Sequence, residues 1–278
     1  MKKSVILFLY KTPVGRGVLL ALTQSAVSRW VGAFLDSRLS GWLAPLFIRK
    51  YGLDMTEYGR IKYRSFNDFF TRKRCEEKVD IALDHLLSPC DGYLSVYPIS
   101  DERTYQIKHV EYSLDQLLQS RELAERFAGG LCLIFRLTPQ DYHRYCYVCS
   151  GHVTQAKEIP GRLHCVRPVA CASRPVFVEN SREFIEIETR RFGAVIQMEV
   201  GALLVGKIHN HSHGSQVFQG VEKGYFAFGG STILVLVQKD RLLINENIWR
   251  DRAWGRETRV RLGERAGLWQ SKWEEVKG

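Results

Sequence analysis

Along the first third of the chain, apolar side chains recur at helical spacing. In "GVLLALTQSAVSRWVGAFL", residues 17–35, Leu20, Val27, Val31 and Phe34 follow one another at steps of seven, four and three, with Gln24, Ser28 and Arg29 as polar positions among them. That pattern predicts an amphipathic helix. A second helix-like stretch surrounds "GWLAPLFIRKYGL", residues 41–53. Two surfaces could receive such helices: a bilayer, with Trp30 and Trp42 near the headgroups and Arg or Lys reaching phosphates, or the protein's own core. From about Ile81 the pattern changes to short β-like runs, "YLSVYPI", "LCLIFRL", "PVFVE", "FIEIETR", "AVIQMEV" and "ILVLVQ", separated by Gly, Pro, Asn and Asp. One helix is predicted within this region, over "SLDQLLQSRELAERF", capped by Ser113 and carrying Leu114, Leu117 and Leu118 on one face. The expected fold class is α+β: a helical, amphipathic N-terminal region over residues 1–75, then a β-rich domain with antiparallel sheets over 76–278.

Composition narrows the picture. At 278 residues and 45% hydrophobic content the chain can bury a large core, and 40 Lys and Arg against 30 Asp and Glu give a formal charge of +10. Such a surface favours an anionic partner. A nucleic-acid role is disfavoured, because the aromatic residues do not form a stacking platform interleaved with Lys and Arg. Seven cysteines at irregular spacing argue for a reducing compartment rather than a disulfide framework. The start "MKKSVILFLYKTP" lacks a small-residue cleavage site, and no segment reads as a membrane-spanning helix.

Four stretches could carry chemistry. In "SPCDG", residues 88–92, Asp91 precedes a glycine, which by itself is a turn signal. In "LTPQDYHRYCYVCSGH", residues 137–152, His143, Cys146, Cys149 and His152 recur at every third position. A strand would throw alternate members of that set to opposite faces, so zinc fits poorly. No helix start is evident to activate the Cys146–Cys149 pair for redox work. The stronger reading is one titratable histidine, His143, beside Arg144. In "VGALLVGKIHNHSHG", His209, His211 and His213 alternate, yet Asn210, Ser212 and Gly214 suggest a polar loop with solvated histidines. Lastly, in "FAFGGSTILVLVQ", Gly229 and Gly230 precede Ser231 and a run of β-branched residues. Glycine tolerates geometries that let the Ser231 hydroxyl approach the preceding carbonyl, so self-attack there competes with an ordinary Gly-Gly-Ser turn.

Taken in order, "SFNDFFTRK", "SPCDG", "DYHR", "IPGRLHCVRPVA", "FVENSREF", "VGALLVGKI" and "KGYFAFGGST" resemble the phosphatidylserine decarboxylase family, from about residue 55 to about residue 250. The resemblance implies a self-processing enzyme cleaved between Gly230 and Ser231. Cleavage gives a β chain of 1–230 and an α chain of 231–278, with Ser231 converted to a covalent pyruvoyl group. It further implies decarboxylation of phosphatidylserine to phosphatidylethanolamine through a Schiff base on that group, with neither pyridoxal phosphate nor a metal. Asp91 matches the aspartate of the family's Asp-His-Ser relay, and His143 the first histidine of its "YHR" motif. Many members carry a second histidine where this chain has Cys146, so His143 takes the base role here, with Cys146, His164, His209 and His211 as alternatives. Tyr142 and Arg144 are expected to meet the substrate, Tyr142 or His143 as proton donor and Arg144 at the anionic headgroup. A lipid substrate also implies an anionic phospholipid membrane as partner and a peripheral location on the cytoplasmic face of the cell membrane. A pyruvoyl decarboxylase of a soluble amino acid and a non-processing membrane-binding homologue are the competing readings.

Overall fold

The structure, a computed structural model, describes residues 12, 14–15, 25–59, 62–76, 79–202, 207–228 and 231–270. Leu20, Gln24, Gly229 and Gly230 lie outside the described residues, as do the side chains of Val27, Ser28 and Arg29. The fold is α+β, with helices at the front and antiparallel sheets behind.

Helices α1 (Ser25–Asp36), α2 (Leu43–Tyr51) and α3 (Phe66–Phe70) form the front. Pro45 is tolerated in α2 because first-turn N–H groups have no intrahelical partner, and Gly52, at φ 59°, closes the helix in the left-handed conformation. Ser65 caps α3 by accepting from the Asp68 N–H at 3.1 Å. Leu35 and Val31 of α1 and Ala44, Phe47 and Ile48 of α2 pack with Phe66, Phe69, Phe70 and Ala227. The opposite stripe stays exposed, with Trp30, Phe34, Leu39, Trp42 and Leu46 all facing outward. One stripe thus packs on the protein core, one of the two surfaces weighed from the sequence, and a second apolar stripe is exposed.

Behind them lies an eight-stranded antiparallel sheet, in the order Gln216–Val217, Gly151–Ile159, Arg182–Thr189, Gly193–Val200, Ser231–Val237, Leu131–Leu137, Gly92–Pro98 and Thr258–Val260. Gly92 is required where it stands, since a Cβ there would meet the Arg136 carbonyl oxygen at 2.6 Å. Side chains alternate between the faces. Leu234 and Leu236 face a cluster with Leu114, Leu117, Leu118, Phe127 and Phe177, whereas Ile233, Val235 and Val237 face Tyr145, Tyr147, Phe226 and Leu86. The second face is covered by two three-stranded sheets, one of Ile208–Asn210, Glu222–Phe226 and Arg144–Cys146, the other of His85–Leu87, Arg265–Trp269 and Leu242–Leu243.

Two local expectations are corrected. "PVFVE" is not a strand: Val176–Glu179 forms a short helix after Pro175, burying Val176 and Phe177. Five residues are too few for periodicity to separate the two states. The stretch from Ser113 is two helices, Leu114–Leu118 and Arg121–Glu125, because Gln119 turns left-handed at φ 49° and Ser120 starts a new cap.

One ion pair is wholly buried. Lys223 binds Glu199 and donates to Asn210 Oδ1 at 2.8 Å, and Gln197 Nε2 lies 3.3 Å from Glu199 Oε1. Burial raises the Glu199 pKa from the usual carboxylate range, against the pull of Lys223. Removing one member strands the other charge. Lys223→Met is expected to lower stability by about 3–5 kcal/mol, and adding Glu199→Leu to recover part of that loss, as read from urea denaturation midpoints.

Candidate active site

Ser231 opens the fifth strand of the large sheet. It pairs with Leu137, and the next residue, Thr232, pairs with Arg136 on one side and Val200 on the other. Both hydroxyl residues have no solvent exposure, and among the described residues neither Oγ nor Oγ1 has a hydrogen-bond partner. An unsatisfied buried hydroxyl costs about 1–3 kcal/mol. By strand alternation Ser231 shares the face of Ile233 and Val235, toward the Glu222–Phe226 sheet, and Thr232 takes the face of Leu234.

His143 lies on Ser231's side of the sheet. Leu137, the cross-strand partner of Ser231, leads into a turn in which the Asp141 N–H donates to the Thr138 carbonyl at 2.9 Å. The chain then enters the strand Arg144–Cys146, paired with Glu222–Phe226, and the Phe226 N–H donates to the His143 carbonyl at 2.9 Å. Phe70 of α3 stacks on the imidazole with centroids 3.9 Å apart, and its edge meets Phe228 at 5.0 Å. Phe228 in turn donates its N–H to Asn67 Oδ1 at 3.1 Å, while Asn67 Nδ2 donates to Asp36 of α1 at 2.7 Å. The segment entering the Gly-Gly-Ser site is thus held between His143 and the front helices.

The protonation of His143 follows from its contacts. Nδ1 lies 2.9 Å from the Asp141 backbone carbonyl, an acceptor only, so Nδ1 carries the proton and donates it. Nε2 is then an unprotonated lone pair, buried and without a hydrogen-bond partner among the described residues. Burial pushes the pKa of His143 down to about 3, with the charge of Arg72 acting in the same direction and Asp141 opposing. The imidazole is a neutral base at every ordinary pH. Asp141 is itself secured: its Oδ2 accepts from Thr138 N and Oγ1 at 2.6 and 2.7 Å, and Oδ1 pairs with Arg259 at 2.7 Å. Burial opposes its ionisation, but those bonds outweigh it and lower its pKa.

The other residues singled out from the sequence occupy distinct places. Asp91 is buried and binds Arg74, Oδ2 to Nη2 at 2.6 Å, while its Oδ1 accepts from the Leu262 N–H at 2.9 Å. It acts on His143 through charge, not through a direct hydrogen bond. Cys146 packs in a small cluster with Tyr58, Tyr142 and Leu262, its N–H donating to the Pro89 carbonyl. Tyr142 is buried with Arg74 4.5 Å over its ring. Arg144 donates from Nε to the Thr71 carbonyl at 2.9 Å and from Nη1 to Glu222 at 2.7 Å. His164 is buried 3.5 Å from Glu179, beside Cys165 and Val166 on the sheet's other face. His209 stacks on Tyr225, His211 binds Glu222 and His213 is exposed. Cys149 is buried, its thiol pushed up to about 12 by burial. Among the described residues no group of three or more His, Cys, Asp or Glu could hold a metal. Arg72, Arg74, Asn67 and Arg259 carry no chemical signal in the sequence. Asn67 and Arg72 do lie within "SFNDFFTRK", one of the stretches that resemble the family, and Arg74 directly follows it, which is the one signal that could have flagged them.

A sequestered serine hydroxyl and a neutral imidazole thus lie on one face of an antiparallel sheet. The family model for phosphatidylserine decarboxylase matches residues 66–268. The chain is 43% identical over 270 residues to phosphatidylserine decarboxylase proenzyme 2 of Clostridium acetobutylicum, covering 96% of this chain and 92% of that one. It is 38% identical to the phosphatidylserine decarboxylase proenzymes of Clostridium novyi (94% and 91% covered) and Chlamydia muridarum (94% and 90%). The chain belongs to the phosphatidylserine decarboxylase family.

The lowered pKa of His143 sets a pH dependence. The unfolded imidazole takes up a proton below its ordinary value near 6.5, the folded one only near 3, so acidification within that window favours unfolding. In a Ser231→Ala chain, acidifying from about pH 7 to about pH 5 is expected to cost about 2 kcal/mol more with His143 than with His143→Gln. Urea titrations of the two chains at both pH values check this.

Proposed function

We propose that the chain decarboxylates phosphatidylserine to phosphatidylethanolamine after cutting itself between Gly230 and Ser231. The observation that carries this reading is the presence, on one side of the sheet, of two buried groups without a hydrogen-bond partner among the described residues: the Ser231 hydroxyl and the Nε2 lone pair of His143. His143 removes the hydroxyl proton as Ser231 Oγ adds to the carbonyl of residue 230. The amide becomes an ester, and loss of the Ser231 α-proton expels the residue 230 carboxylate. The elimination frees a β chain of 1–230, and the resulting dehydroalanine tautomerises to an imine that water hydrolyses, releasing the Ser231 nitrogen as ammonia and leaving an α chain of 231–278 headed by a pyruvoyl group.

The site fits that group, which is no bulkier than the serine it replaces, and the strand from Thr232 to Val237, buried along its whole length, holds it in place. When formed, the group supplies a ketone for the substrate amine and an adjacent carbonyl that takes up electrons as the carboxylate departs. Phe70, Phe226 and Phe228 wall the site with apolar surface and exclude water. His143, protonated at Nε2, hands a proton to the substrate carbon; Asp91 and Asp141 stabilise that transient charge. Tyr142 lines the approach between Tyr58 and Arg74. Arg144 meets an anionic headgroup only where its pairing with Glu222 opens.

The enzyme reaches its lipid as a peripheral protein on the cytoplasmic face of the membrane. Trp30 and Phe34, one helical turn apart, together with Leu39, Trp42 and Leu46, form an exposed apolar stripe flanked by exposed Arg38, Arg49 and Lys50. Among the described residues no helix is long and apolar enough to cross a membrane.

Wild-type protein is expected to run as two chains and Ser231→Ala as one, with His143→Ala cleaving at least about 100-fold more slowly; intact mass spectrometry over time reads all three. Phosphatidylserine vesicles are expected to bind the protein less well as salt rises, each basic group contributing about 1 kcal/mol. Replacing Trp30 and Trp42 by serine is expected to lower vesicle affinity at least about tenfold. Flotation assays at low and high salt decide both.

A further inference from the structure

Arg72 is a buried cation for which the protein supplies no counter-ion among the described residues. It is 4% exposed, and no carboxylate among the described residues lies within ion-pair distance, although the neighbouring Arg74 pairs with both Glu57 and Asp91 and Arg144 pairs with Glu222. Its guanidinium lies 4.6 Å over the Tyr58 ring and 5.0 Å over Phe69, and its one polar contact is a long bond of 3.4 Å from Nη2 to the Gln140 carbonyl. Nε and Nη1 are buried with no hydrogen-bond partner. A charged group left in this condition is among the more costly features a fold can carry, and a ligand that supplies the missing acceptors relieves it.

Its place in the fold says which ligand. Gln140 precedes Asp141, whose carbonyl orients His143, and Phe70, two residues before Arg72, stacks on that imidazole. On the other side Phe69 meets Phe47 of α2 at 5.7 Å, beneath the helices that expose Trp42 and Leu46. Arg72 therefore stands between the exposed apolar stripe and the reacting centre, where a lipid headgroup passes from bilayer to site.

We propose that Arg72 binds the phosphodiester of the lipid headgroup, with Nε and Nη1 as a two-pronged donor. This rests on the decarboxylase reading above and names the element that separates a phospholipid from a free amino acid. The substrate carboxylate is the poorer ligand: pairing it with a cation stabilises the ground state of the group that must leave uncharged, which raises the barrier. The phosphodiester keeps its charge from substrate to product.

The test uses full-length wild type, Arg72→Gln and Arg72→Lys, with self-cleavage read on gels and turnover of phosphatidylserine in mixed micelles. Binding of a short-chain phosphatidylethanolamine, which has the phosphodiester but no carboxylate, is measured by calorimetry. Both variants are expected to run as two chains. Arg72→Gln is expected to weaken phosphatidylethanolamine binding and raise KM by about 10- to 100-fold, more than it lowers kcat, with Arg72→Lys between it and wild type. A raised KM with unchanged phosphatidylethanolamine binding assigns Arg72 to the carboxylate and overturns the proposal. So does unchanged binding and KM in both variants, or failure of both to cleave, which would give Arg72 a role in folding or processing. Wild type that binds phosphatidylethanolamine through Arg72 but neither cleaves nor decarboxylates refutes the proposed function while upholding this subsite.

Discussion

The strand Ser231–Val237 is flanked on both sides by antiparallel neighbours and has no exposed side chain. Everything else in the site is arranged around that constraint. A hydroxyl at the head of a strand buried on both faces has lost its water, and its first residue is registered against Leu137 by the ladder itself. Such a chain end can be cut without drifting, because the strand keeps its hydrogen bonds and its apolar contacts on both faces. Each fully buried Leu, Ile or Val contributes about 1.5–3 kcal/mol to holding it there.

The same dryness makes the base. An imidazole in water would be partly protonated near neutral pH, whereas His143, stacked on Phe70 and bonded through Nδ1 to a backbone carbonyl, keeps a bare Nε2. That arrangement needs no carboxylate in direct contact. Asp141 serves through its main chain, while its side chain closes the turn onto Thr138 and reaches Arg259. Asp91 and Arg74 form a second, separately satisfied pair nearby. Several charges thus surround a neutral histidine without sharing its proton.

The front helices serve the catalytic sheet as well as facing outward. Ser40 Oγ accepts from the Phe66 N–H at 2.9 Å and donates to the Leu35 carbonyl at 2.8 Å, tying α1 to α3. Through Asn67 and Phe70 the same short helix steadies Phe228 and His143. The exposed apolar stripe is therefore continuous with the walls of the Ser231–His143 site, through α3 and the residues that follow it.

Much of this was legible in the sequence. Helical spacing foretold α1 and α2, the β-branched run foretold the Ser231–Val237 strand, and motif order led to the family. These signals are local, because side-chain periodicity reports which face of an element is apolar. Pairing of distant segments leaves no such trace. Nothing in "TRKR" distinguishes Arg72, without a counter-ion, from Arg74, which binds Asp91, and nothing in "DYHR" says that Asp141 offers its backbone rather than its carboxylate to His143. Nor could spacing decide among His143, His164, His209 and His211, since solvent access and sheet face separate them. The sequence by itself determined most of the elements and singled out Ser231. Which polar groups are satisfied and which are left waiting was decided by tertiary structure, because burial and hydrogen-bond partners depend on what other strands and helices bring alongside.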